Sequence, residues 1–260
     1  MGYIKVNGND VTINHSLSIG DDLAINSNPN NKTTIMQCIL PLDIVYEDEY
    51  YLLINKPAGL ASMPSKSHYS FNLAGGICFY MKDKDPNFTL RIINRLDKDT
   101  SGIVIVAKDS ISQKEIKDIN KTYYAICEGV IDRNLVIDKK IKTTSKDKIN
   151  NKKREIANDG KDAKTFVRPI KICEIKEDNQ IKKFTLISVN LIHGRTHQIR
   201  VHLSSIGHAL LGDELYGNKT QTINHTALIC KDVSFYHPFK QETLTFSVPF
   251  PKDFEKLIDD

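Results

Sequence analysis

Hydrophobic and polar positions alternate in short runs along most of this chain, a texture that predicts strands far more often than helices. Residues 3–25 alternate around two turn signals, Asn7-Gly8 and Gly20-Asp21, and predict short strands joined by hairpins. Ser27–Thr34, SNPNNKTT, has the composition of a linker. From Ile39 onward the chain is β-rich, with strands expected in Leu40–Leu60, Ile103–Ala107, Thr122–Val130 and Phe184–Ile192. Two short helices fit between them. One is expected over Ser110–Ile119, where Ser110 and Gln113 make a capping box, and one over Thr196–Ile206, closed by Gly207. The sum is an α+β fold, a mixed, largely antiparallel sheet flanked by helices and loops, with a small β-rich N-terminal appendage. Residues 1–35 are assigned to the appendage and its linker, and residues 36–260 to the main domain.

Composition narrows the class. At 260 residues with 40% hydrophobic and 26% charged content, the chain has the make-up of an ordinary soluble globular protein. It lacks any unbroken apolar run of the length a membrane span needs, and its first residues lack a secretory core, so a cytoplasmic protein that meets no membrane is expected. The five cysteines are scattered, without a Cys-x-x-Cys pair, and read as reduced, buried hydrophobes. Net charge is only +4, yet Lys139–Arg154 carries eight basic residues and one acidic one, Asp147. Such a run is either a solvated loop or an arm that follows a polyanion.

Several familiar chemistries are missing. There is no phosphate-binding Gly-x-x-x-x-Gly-Lys-Ser/Thr loop and no strand-bound Gly-x-Gly-x-x-Gly, so no nucleotide cofactor is expected. His193 and His197 are four apart, but Gly194 intervenes and no His-Glu-x-x-His frame exists, so no metal is expected either. Asp99-Thr100-Ser101-Gly102 has one residue too many for an aspartic-protease loop and no second copy.

Two charge-dense stretches remain. INRLDKDTSG, Ile93–Gly102, packs Asp97, Asp99, Arg95 and Lys98 between apolar runs. HGRTHQIRVHLSSIGHALLGDELYG, His193–Gly217, places Ile199, Leu203 and Ile206 on one face of a helix and His197, Arg200 and Ser204 on another. An arginine on a rigid helix can grip a carboxylate with both arms of its fork and keep it ionised and aimed.

Together these stretches resemble the RluA-type family of RNA pseudouridine synthases over roughly Leu40–Ile258, with four motifs in the family's order. NRLDKDTSGIVIVAKD is similar to the catalytic motif, KTYYAICEG to the Lys-x-Tyr strand, GRTHQIRVHL with GHALLGDELYG to the arginine helix and its loop, and INKPAGLASMP to the Lys-Pro-x-Gly segment. Asn94 stands where the family usually has histidine, Ile229 where a histidine is common, and the stretch before Lys121 is short. At the N-terminus, VNGNDVTINHSLSIGDDLAI resembles the strand-rich half of an alpha-L RNA-binding domain.

The resemblance implies an isomerase that detaches uracil from its ribose in structured RNA, ribosomal or transfer, turns the base over and rejoins it through carbon 5, with no cofactor and no metal. Asp97 then acts at the anomeric carbon as nucleophile or base. Arg200 partners that carboxylate, and Tyr123 stacks on the target base and helps remove the carbon-5 proton. Arg95 fills the stack left by the extruded uridine. Lys56, Arg195 and His197 contact phosphates or orient the loop, and Thr100 joins the RNA-binding set. A monomer is expected. The alternative is an RNA-binding module of the same fold without catalysis.

Overall fold

The computed structural model describes residues 4–12, 14–25, 35–65, 68–144, 153–177, 180–220 and 222–259. The linker at 27–34 and the middle of the lysine run, 145–152, lie outside these described residues.

The N-terminal alternation folds as expected. Strands β1 (Ile4–Val6), β2 (Asn9–Val11) and β3 (Leu23–Ile25) form an antiparallel sheet in the order β2-β1-β3. Asn7 and Gly8 both have positive φ, 51° and 81°, as a two-residue hairpin turn of matching twist requires. The Asn7 side chain also donates to Asp21 Oδ1 at 2.8 Å and accepts from the Asp22 amide at 2.9 Å, which ties the turn to the entry of β3.

The main body is a ten-stranded sheet. In chain order its strands begin with β4 (Ile44–Glu47), β5 (Tyr51–Lys56), β6 (Arg91–Ile92) and β7 (Ser101–Ala107). They continue with β8 (Lys117–Glu128) and β9 (Leu135–Asp138). A separate hairpin, β10 (Ile141–Thr143) with β11 (Arg154–Ile156), brackets the lysine run. Then follow β12 (Lys164–Glu177), β13 (Gln180–Leu191), β14 (Leu228–His237) and β15 (Glu242–Ser247). The spatial order is β4-β5-β7-β14-β8-β13-β12-β9, with β15 on β14 and β6 on β7. Every pairing among the described residues is antiparallel except β7 with β14, so the sheet is mixed and largely antiparallel, as its pattern predicts.

That parallel joint is short, Ser101 with Ile229 and Gly102 with Cys230. Gly102 has φ +108°, and a Cβ there would stand 2.2 Å from the Cys230 carbonyl oxygen, so only glycine lets the two strands meet. All seven residues of β7 are buried, which is why it reads as an apolar run instead of an alternation.

Four helices among the described residues flank the sheet: α1 (Leu73–Met81), α2 (Ser110–Glu115), α3 (Gln198–Ser204) and α4 (Lys252–Asp259). Helix α2 differs from expectation. Its cap is Asp109, whose carboxylate accepts from the amides of Ile111 and Ser112, so Ser110 is already inside the helix. It stops at Glu115 because Ile116 turns extended and β8 starts at Lys117. Helix α3 is likewise shorter than the expected span, covering 198–204, and Gly207 follows it at φ +84°. Helix α1 is not signalled by the hydrophobic pattern; Asn72 caps it by accepting from the Gly75 amide at 2.9 Å. No helix among the described residues is long and apolar enough to cross a membrane.

Candidate active site

The corner before β7 is assembled from the backbone outward. Asn94 is buried and its amide completes the ladder, accepting from the Ile105 N–H at 2.7 Å and donating to the Ile103 carbonyl at 2.9 Å. The residue that departs from the family pattern therefore has a full structural job. Exposure alternates beyond it: Arg95 is exposed, Leu96 is buried, and Asp97 follows with its carboxylate 28% exposed. The Thr100 amide donates to the Asp97 carbonyl at 3.2 Å and closes the turn.

Lys56, at the end of β5, fixes this corner from below. It is fully buried, and its ammonium donates to the carbonyls of Pro57, Leu60 and Lys98 at 2.8, 2.8 and 3.0 Å. Burial pulls its pKa down to about 7, against the opposing charges of Asp99 and Asp97. Three acceptors use all three N–H bonds, so no donor is left for a phosphate. Ser62 adds a second tie, donating to the Leu96 carbonyl at 2.6 Å. Lys56 thus orients the loop, and Thr100, 2% exposed, is equally interior. Of the two roles expected of Lys56, phosphate contact or orienting the loop, this placement fits the second.

Arg200 projects from α3 toward Asp97, but the fork is not closed on it. Nε and Nη2 donate to the two oxygens of Asp213 at 2.8 and 2.7 Å, and Nη1 lies 3.6 Å from Asp97 Oδ2. The physical reason is burial. Asp213 is wholly inaccessible and must have its charge matched inside the protein, whereas Asp97 keeps access to solvent. Asp213 Oδ1 also accepts from the amides of Leu215 and Tyr216, at 3.1 and 3.2 Å. In sequence this aspartate is one more letter of GHALLGDELYG, with nothing to mark its role.

Tyr216, in the same loop, is the other residue whose role only the structure reveals. The polar face of α3 converges on it. His197 Nδ1 lies 2.9 Å from its hydroxyl, the Arg200 guanidinium carbon sits 5.2 Å from its ring centre, and Ser204 donates to its carbonyl at 2.8 Å. The Arg154 amide of β11 donates to the same hydroxyl at 2.7 Å, which brings the root of the lysine-rich hairpin to the site. The signal available in sequence is the spacing of His197, Arg200 and Ser204, a polar stripe that needs a partner. Burial pushes the Tyr216 phenol up to about 12.

His197 precedes α3 with a left-handed backbone, φ 57°, and its Nε2 is 3.8 Å from Asp97 Oδ2. Burial lowers its pKa, opposed by the charge of Asp97. Arg195 turns aside, its Nε donating to the Asp162 carbonyl at 3.0 Å.

Tyr123 enters from β8, opposite Cys230 of β14. It is buried, and its phenol is held well above the ordinary tyrosine value by burial first, then by Cys230 and the charge of Asp97. Tyr124 faces the other way and packs edge-on against Phe250, with ring centres 5.5 Å apart. Among the described residues, no group of three or more His, Cys, Asp or Glu side chains is placed to hold a metal ion.

A family model described as RNA pseudouridylate synthase matches residues 50–205. An RNA pseudouridine synthase of Bacillus subtilis (strain 168), YjbO, is 35% identical over 265 residues, covering 99% of this chain and 90% of that protein. A ribosomal large subunit pseudouridine synthase D of Zymomonas mobilis is 33% identical over 239 residues, covering 84% of this chain and 72% of that protein. The solved structure of human RNA pseudouridylate synthase domain containing 1 shares the fold, with a TM-score of 0.63 at 22% identity, over 80% of this chain and 83% of the other.

Proposed function

The chain belongs to the RluA-type family of RNA pseudouridine synthases, and from that premise we propose that Asp97 is the carboxylate that acts at the ribose of the target uridine. The observation that carries this is the placement of Asp97: a partly exposed carboxylate at the mouth of a buried corner, with Arg200 Nη1 and His197 Nε2 both turned to one of its oxygens.

In this reading Asp97 bonds to the anomeric carbon, or takes the proton that starts ribose rearrangement, as the glycosidic electron pair leaves with uracil N1. The freed base turns over, and carbon 5 joins the anomeric carbon as the bond to Asp97 breaks, or as Asp97 returns the proton it took; N1 takes up a proton and the carbon-5 proton passes to water. Arg200 is held rigid by Asp213 and keeps Nη1 aimed at Asp97. Tyr123, buried and with its phenol held above the ordinary tyrosine value, offers a ring face to the base. Arg95, exposed beside the corner, fills the place of the flipped uridine. Residues 36–260 form the catalytic domain, and residues 1–35 a segment similar to the strand-rich half of an RNA-binding module.

The name of the Zymomonas mobilis relative, a ribosomal large subunit pseudouridine synthase D, favours large-subunit ribosomal RNA as the substrate. The test is tritium release from such RNA labelled at uracil carbon 5. Asp97→Asn is expected to abolish release while RNA binding persists. Turnover near that of the parent would overturn the assignment.

A further inference from the structure

The hydrogen bonds around Tyr216 favour one tautomer of His197. The Tyr216 oxygen accepts the Arg154 N–H at 2.7 Å, and His197 Nδ1, 2.9 Å away, is in place to accept the hydroxyl's own proton. A ring nitrogen that accepts is bare, and the neutral imidazole then carries its hydrogen on Nε2. That is the nitrogen facing Asp97 Oδ2.

We propose that His197 is a positioning residue of the isomerisation, its tautomer fixed by Tyr216 so that Nε2–H and Arg200 Nη1 address the same Asp97 oxygen and leave the other one for the ribose. The inference rests on the reading of Asp97 as the reacting carboxylate. Two independent features support it. His197 holds a left-handed backbone conformation, φ 57°, uncommon for residues other than glycine although histidine, with asparagine and aspartate, is enriched there. The charged groups around it are Asp97, Arg200, Asp213 and Arg154, with Lys153 above the Tyr216 ring at 5.7 Å. Burial, Arg200 and Arg154 favour the neutral ring, against Asp97 and Asp213.

Protonation at low pH would place a hydrogen on Nδ1, turn the Tyr216 contact around and set an imidazolium against Asp97. The single-turnover rate is therefore expected to fall on the acidic side.

Long-range proton–nitrogen NMR of the RNA-free protein at neutral pH reads the tautomer directly, without reference to activity. A bare Nδ1 and a protonated Nε2 are expected for His197, and the reverse overturns the proposal. On large-subunit ribosomal RNA, Tyr216→Phe should slow single turnover by about five- to tenfold, the order of one hydrogen bond, with RNA affinity unchanged. His197→Asn, which suits the backbone, should give a slower rate with the acidic limb flattened; an unchanged rate and profile would also overturn it. An inactive parent with the expected tautomer would instead count against the function assigned to Asp97.

Discussion

Arg200 is bound to Asp213 through two hydrogen bonds, of 2.8 and 2.7 Å, and reaches Asp97 only with its remaining arm. The guanidinium serves two carboxylates unequally, gripping Asp213 with two hydrogen bonds and approaching Asp97 at 3.6 Å.

Removing Asp213 should cost more stability than altering Asp97. Asp213→Ala strands a buried guanidinium and is expected to destabilise the fold by about 3 to 5 kcal/mol in denaturant melts. Asp97→Asn should change the midpoint little. Arg200→Lys should lose most of the turnover, because a point charge cannot satisfy both carboxylates.

Gly102→Ala tests the joint between β7 and β14. The added methyl would meet the Cys230 carbonyl at 2.2 Å in a backbone region costly to alanine. Soluble yield or thermal midpoint should fall sharply, and a parent-like melt would show that the strands can separate without harm.

Acid stability should depend on Asp48. Burial works to raise its pKa, but hydrogen bonds from Tyr46, the Tyr51 and Tyr50 amides and His237 outweigh that and hold it at about 2. A depressed folded pKa contributes stability that is present above the unfolded value and lost as pH falls toward 2. Asp48→Asn should remove about 2 kcal/mol at neutral pH and flatten the stability profile between about pH 4 and 2, as read from denaturant melts across that range.

The lysine run predicts a salt effect. Replacing Lys146, Lys148, Lys152 and Lys153 with glutamine should weaken binding to all RNAs alike, lowering the slope of log K against log salt by about 0.7 for each phosphate that is no longer neutralised. Filter binding across salt concentrations measures it, and an unchanged slope would make the run a solvated loop.

The strands and the polar face of α3 are legible in the sequence because alternation and helical spacing are local properties. Asp97, Arg200 and Tyr123 are legible only through the family motifs. The pairing of Arg200 with Asp213 is not, since burial decides which carboxylate takes the fork and burial is a property of the finished fold. The same holds for Lys56: a lysine in a motif reads as a phosphate ligand until three carbonyls are found around it. Helix α2 starts at Ser110 as expected, but Asp109 and not Ser110 is its cap, because the Asp109 carboxylate takes the amides of Ile111 and Ser112.

The narrow joint between β7 and β14 also sets a schedule for synthesis. Asp97 lies ahead of β7, whereas Arg200 and His197 are made about a hundred residues later and Cys230 later still. At roughly 5 to 20 residues per second, the nascent chain carries its carboxylate for about 5 to 20 seconds before the arginine exists. Through that interval the proposed centre is incomplete, and its parts are all in place only once α3 has been made and β14 has paired with β7 at Gly102.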